Sequence, residues 1–195
     1  MKDIVLYCKS YSKDFLRLRN LLASIQKYNC EQIDFYISTS ENEHAELERQ
    51  IGSQGYRWVS DESIVRANPR APSKIEKTKP GGLAQQVIKS EFWRLGVANN
   101  YVCLDSDCIF IQDFRKSDFL ASDGHPFTVI YQNKEYHQLA INRNYAKAPR
   151  HLQAEAERVK AVFGRNGPNY YCPCPPFIWS TAVWQSLDNE YLKPR

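Results

Sequence analysis

Tyr101–Phe114, YVCLDSDCIFIQDF, is the stretch on which the reading of this chain turns. Val102, Cys103 and Leu104 form an apolar, strand-like run that stops at Asp105-Ser106-Asp107, and Ile109, Phe110 and Ile111 then resume it. Two carboxylates, one residue apart, are thus expected between two short buried strands. In extended chain the side chains alternate with period two, so Asp105 and Asp107 would point to the same side. Like charges at that spacing repel, and each would have a raised pKa without compensation. A divalent cation supplies it, and hard carboxylate oxygens suit Mg2+ or Mn2+. The competing reading is a polar turn, where Asp and Ser are common in any case.

The preceding sequence places this stretch in an α/β pattern. Asp3–Cys8 (DIVLYC) reads as a central strand. Ser12 is the expected N-cap of a helix whose apolar face is Phe15, Leu18, Leu21, Leu22 and Ile25. Ile33–Ile37 is the second strand, Glu43–Ile51 a charged helix closed by Gly52, and Tyr56–Val59 the third strand. Alternation of this kind implies parallel strands, with ligands bound beyond their carboxyl ends. The first two such ends are Cys8–Ser12 and Ser38–Ser40. No G-x-G-x-x-G or G-x-x-x-x-G-K-[ST] is present, which weighs against a dinucleotide fingerprint or a P-loop.

Ser60–Pro80, with Pro69, Pro72 and Pro80, reads as a loop. Gly81-Gly82 opens a helix to Gly96, with Leu83, Val87, Ile88, Phe92 and Leu95 on its buried side. Gln85 and Lys89 lie four apart on another face, beside Gln86. Beyond Phe114, a turn and short helix fall around Arg115–Leu120, and Pro126–Tyr131 reads as a strand. Gln132–Pro149 has no clear period; its His137 is a candidate metal or substrate ligand, although a lone loop His is more often neither. Leu152–Phe163 is a helix, Tyr170–Pro176 a rigid aromatic segment, Phe177–Trp179 a short strand, and Ser180 the N-cap of a last helix to Tyr191.

Composition narrows the field. The 195 residues suit one domain, 1–195, and 43% hydrophobic residues are enough for a substantial core. The net charge of +4 includes no dense basic run, so nucleic acid is not an expected partner. MKDIVLYCKS lacks a signal-peptide apolar region, and no apolar run approaches the ~18 residues of a membrane span. A cytoplasmic protein is expected, with peripheral membrane association left open. Six cysteines without a signal peptide do not suggest a disulfide framework, and Cys172-Pro-Cys174 is not a zinc spacing.

With these elements in place, the chain resembles nucleotide-sugar-dependent glycosyltransferases of the GT-A fold. The residues that carry the resemblance are IVLYCKSYSKDF, FYISTS, and the Gln/Lys helix leading into a strand and D-x-D, GGLAQQVIKSEFWRLGVANNYVCLDSDCIFI. It looks more narrowly like a bacterial D-x-D glycosyltransferase-like family with QQ-x-x-K before the D-x-D and a proline-aromatic segment before a later helix.

The resemblance implies a Rossmann-related three-layer sandwich around a mostly parallel sheet, with residues 1–114 as the nucleotide-sugar half and 115–195 as the acceptor half. It implies a hexosyltransferase-like activity in polysaccharide biosynthesis, from a nucleotide-diphosphate sugar to a glycan or lipid-linked acceptor. Asp105 and Asp107 would hold Mn2+ or Mg2+ on the donor diphosphate. Tyr7, Lys9, Ser10, Tyr11, Gln85, Gln86, Lys89, Asp105 and Ser106 would surround the donor, with Lys89 on phosphate. Pro176, Trp179 and Ser180 would border the acceptor. The family's further C-terminal part, with its acidic E-x-x-W/Y-Y-G-like segment, has no counterpart here, so the acceptor half is expected to be incomplete. Asp188 and Glu190 are the remaining candidates for a catalytic base. Two alternatives stand beside this: a nucleotide-sugar-binding domain without catalysis, and a phosphatase of the haloacid dehalogenase type, whose D-x-D normally sits on the first strand.

Overall fold

The computed structural model describes residues 1–70, 81–130, 132, 134–145, 147–170 and 176–193. The chain forms two compact units, one of Met1–Phe127 with Pro175–Arg195 and one of Thr128–Cys174.

The first unit is α/β. Its strands are β1 (Lys2–Lys9), β2 (Phe35–Thr39), β3 (Arg57–Ser60), β4 (Ala98–Leu104) and β5 (Phe177–Ser180), in the spatial order β3-β2-β1-β4-β5. β1 pairs in parallel with β2 and β4, and β2 with β3, whereas β5 runs antiparallel to β4. The sheet expected to be mostly parallel is therefore a mixed one. Between β4 and β5 the chain passes through the second compact unit, and an antiparallel pair needs no helical crossover packed on the sheet.

Period-two alternation assigns the two faces. Ile4, Leu6 and Cys8 of β1, with Val102 and Leu104 of β4, pack on α1 (Phe15–Tyr28) and α2 (His44–Ile51). Val5 and Tyr7, with Tyr101 and Cys103, pack on Ile64 of α3 (Asp61–Arg66), on Ile88 of α4 (Gly81–Glu91) and on Phe92 of the 3-10 turn that follows it. Helices on both faces make three layers. The second face is aromatic: Tyr7 stacks on Phe92 at 3.9 Å and meets Tyr101 edge-on at 6.1 Å. Fully buried side chains such as Leu18 and Phe92 each contribute about 1.5–3 kcal/mol of burial.

Several sequence expectations are corrected. Ile109–Ile111 is not a strand: Ile109 and Ile111 are exposed, and only Phe110 packs, its N–H donating to Ser24 Oγ. Within 60–80, Asp61–Arg66 is helical because Ser60 Oγ caps the Ser63 N–H; 71–80 lie outside the described residues. Leu83 is exposed, and Ala84, Ile88 and Phe92 form the buried stripe. The helix ends earlier, at Glu91, and passes through a 3-10 turn to Gly96 at φ +64°, a left-handed position that suits glycine. Pro126–Tyr131 yields only a single bridge between Leu120 and Pro126; Tyr131 lies outside the described residues.

The second unit contains α5 (Lys134–Asn142) and α6 (Lys147–Val162). Both begin in the segment expected to lack a period. Pro149, which reads as a breaker, falls in the first turn of α6, where no helical N–H is lost. Of the expected rigid segment Tyr170–Pro176, residues 171–175 lie outside the described residues. In the first unit, the last helix is α7 (Thr181–Ser186) continuing as a π-helical turn, Leu187–Leu192. No helix among the described residues is long and apolar enough to cross a membrane.

Candidate functional site

The strand order creates one place where the chain's progress across the sheet reverses. β2 and β3 extend from one side of β1, and β4 from the other. The carboxyl ends of β1 and β4 flank this reversal point, the usual position of the ligand crevice in such sheets. Lys9–Tyr11 leaves one end and Asp105–Asp107 the other.

The two segments are bound together. Ser106 Oγ donates to Ser10 Oγ at 2.9 Å, both serines being buried. The Cys108 N–H donates to the Asp105 carbonyl at 3.0 Å and closes a tight turn. Asp105 and Asp107 thus reach the surface from a turn and not from the extended chain of the sequence reading. Ser106 points inward between them. Both carboxylates line a pocket of about 250 Å3, together with Gln85 and Gln86 of α4 and Asp14 and Arg17 at the start of α1. A larger hollow of about 420 Å3 lies between Ile25, Asp34 and Arg57, at the amino ends of β2 and β3. Its position is the wrong end of a parallel sheet for a ligand crevice, so the smaller pocket is the candidate.

Lys89 is buried, and its Nζ lies 2.5 Å from Asp105 Oδ1. Burial pulls its ammonium down, but Cys103 and Asp105 outweigh this and leave it raised. Cys103 is itself pushed up to about 12 by burial, so it is a neutral thiol near neutral pH and Asp105 is the partner that counts. Arg17 is the exposed cation of the pocket, 3.1 Å from Asp14 Oδ1.

The other sequence candidates are dispersed. Tyr7 is fully buried, and its hydroxyl shares a 2.9 Å hydrogen bond with Ser38 Oγ. Lys9 turns toward the carboxyl end of β3, where its ammonium lies 2.7 Å from buried Asp61. Burial raises the Asp61 carboxyl, against the lowering effect of Lys9. Tyr11 is exposed. Trp179 packs edge-on against Tyr101 and Trp184, Ser180 makes no side-chain cap bond, and Pro176 is exposed just before β5. Asp188 is buried and bound by Arg94 at 2.8 Å and by Arg70. Glu190 accepts from Ser186 Oγ on the surface. Neither lines the pocket of Asp105 and Asp107. His137 lies in α5, in the second unit.

Asp14 and Arg17 were not picked out from sequence. Their place in the pocket depends on where the first turn of α1 falls against β4, which no local pattern encodes. Among the described residues no group of three or more His, Cys, Asp or Glu side chains is arranged to hold a metal ion.

The chain belongs to a family of unknown function, DUF6492, whose model matches residues 3–193. Comparison with curated proteins gives no match.

Proposed function

We propose that this protein is a metal-dependent glycosyltransferase, taking a nucleotide-sugar donor and passing the sugar to a glycan or lipid-linked acceptor. The observation that carries the reading is the position of the Asp105/Asp107 pair, in a polar pocket at the reversal point between β1 and β4. A GT-A-like arrangement of the first unit belongs to the same proposal.

The donor set fits a hard divalent cation. Lys89 engages Oδ1 of Asp105, which leaves the second oxygen and the Asp107 carboxylate for Mg2+ or Mn2+. Mg2+ commonly takes one or two protein carboxylates and completes its shell with phosphate and water, so a third side chain is not required. When bound, such an ion supplies stabilisation of the charge that develops on the departing diphosphate. The chain's own residues have distinct parts in this scheme. Lys89 fixes the rotamer of Asp105. Arg17 offers a guanidinium to a phosphate oxygen. Gln85 and Gln86 offer amide hydrogen bonds along the same wall.

A second reading, donor binding without transfer, is favoured by one observation. Apart from the metal pair, Asp14 is the one carboxylate lining the pocket among the described residues, and it is already paired with Arg17. The test is a panel of nucleotide sugars with Mn2+, measured for binding by calorimetry and for nucleotide release and sugar transfer. Metal-dependent transfer supports the enzyme. Tight binding with no turnover selects the second reading, and failure to bind any nucleotide sinks both.

A further inference from the structure

The unit Thr128–Cys174 carries seven Lys or Arg and three Glu, an excess of +4. The whole chain's net charge is also +4, so the rest of the sequence is neutral. The same unit spans under a quarter of the 195 residues. Yet it holds eleven of the twenty large hydrophobic side chains exposed among the described residues. Charge and apolar surface are concentrated together.

The helices arrange both. On α6, Leu152 and Val159 are seven residues apart and so share a face; they are 37% and 53% exposed. α5 exposes Leu139 and Ile141 at 50% and 54%. Lys134, Arg143, Lys147 and Arg150 are exposed, and none has an ion-pair partner among the described residues. Tyr136, Tyr145 and Tyr170 add exposed rings with a polar tip, side chains suited to the headgroup level of a bilayer.

We propose that Thr128–Cys174 docks on the surface of an anionic lipid bilayer. With Leu152 and Val159 on one side of α6 and Lys147 and Arg150 on the other, the helix matches what such a surface offers: an apolar layer beneath diffuse negative charge. The inference does not rest on the nucleotide-sugar reading, since vesicle binding and nucleotide binding are measured separately.

The experiment is flotation of the full chain with phosphatidylcholine vesicles and with vesicles that also contain phosphatidylglycerol, at low and high salt. Binding to the anionic vesicles is expected to be at least about tenfold stronger than to the neutral ones, and to weaken with salt. Leu152→Asp with Val159→Asp should reduce it at least about tenfold. So should Lys147→Glu with Arg150→Glu, a surface charge reversal that leaves the apolar face alone. Both variants should keep the unfolding midpoint and nucleotide affinity of the parent. No vesicle binding, or equal binding to both vesicle types, overturns the proposal. So does self-association that Val159→Asp abolishes in the absence of vesicle binding, which would assign the surface to a second copy of the chain.

Discussion

The ammonium of Lys89 lies 2.5 Å from Asp105 Oδ1, and the two ends of this pair differ in burial: the lysine side chain is 5% exposed and the carboxylate 38%. The asymmetry gives the two partners unequal substitution costs. Asp105→Ala leaves an ammonium buried without its counter-charge and should cost about 1–3 kcal/mol. Lys89→Met replaces a buried cation by an apolar chain of similar length and leaves a carboxylate that water can reach, so its cost should stay below about 1 kcal/mol. Urea unfolding of the two variants checks the order. Equal losses would mean that the pair is not structurally asymmetric.

Asp107 separates metal binding from folding. It is exposed, so Asp107→Ala should change stability by no more than about 0.5 kcal/mol. The same variant should lose the divalent-dependent part of nucleoside diphosphate binding. Calorimetry with and without Mn2+ measures this, and an unchanged Mn2+ effect would remove Asp107 from the metal site.

Two cations near the pocket are expected to act differently. Arg17→Ala should weaken a nucleoside diphosphate about tenfold more than the nucleoside, because the guanidinium would meet phosphate directly. Lys89→Met should weaken chiefly the metal-dependent binding, through Asp105. The sequence reading gave the phosphate role to Lys89. A pattern of loss with the two residues exchanged would restore it.

Tyr7 tests whether the end of β1 touches the ligand. Tyr7→Phe removes one buried hydrogen bond, to Ser38, and should cost about 1 kcal/mol. Nucleotide affinity should not change, since the ring is stacked on Phe92 inside the sheet's helical cover. A drop in affinity with no drop in stability would return Tyr7 to the site.

Much of the fold was legible because apolar spacing follows secondary structure directly: the α1 stripe from Phe15 to Ile25 and the β1 run from Ile4 to Cys8 are both buried as spaced. Ile109–Ile111 misled because three apolar residues in a row carry no information on direction. The turn closed by Cys108 and Asp105 sends them outward, and Ser24 retains only Phe110. The carboxylate pair was legible because its spacing is local. The Lys9–Asp61 pair was not, since its members come from the ends of different strands and meet only once β1, β2 and β3 are aligned.

Asp188 was a candidate base in sequence and is a bound counter-ion in the fold. The Arg94 hydrogen bond, with Arg70 and Lys193 adding to it, holds its carboxyl below the usual range despite burial. A carboxylate depressed in the folded state contributes stability above its unfolded pKa and loses it as pH falls through the folded one. Asp188→Asn should therefore cost about 1–3 kcal/mol near neutral pH and flatten the acid limb of stability. Unfolding midpoints taken from neutral into the acid range check this. Any transfer activity, corrected for folded fraction, should be unaffected.

The strand order also sets a timetable for synthesis. Leu6 at the centre of the sheet pairs with Phe35 on one side and with Val102, ninety-six positions later, on the other. As the chain leaves the ribosome, β1 to β3 can assemble early, but one edge of the most apolar strand stays open until β4 has emerged. Closing that long loop is entropically slow, and an uncovered apolar edge invites pairing with another nascent chain. The same reversal that makes the crevice thus leaves the central strand as the point of greatest exposure to misassembly while the protein is being made.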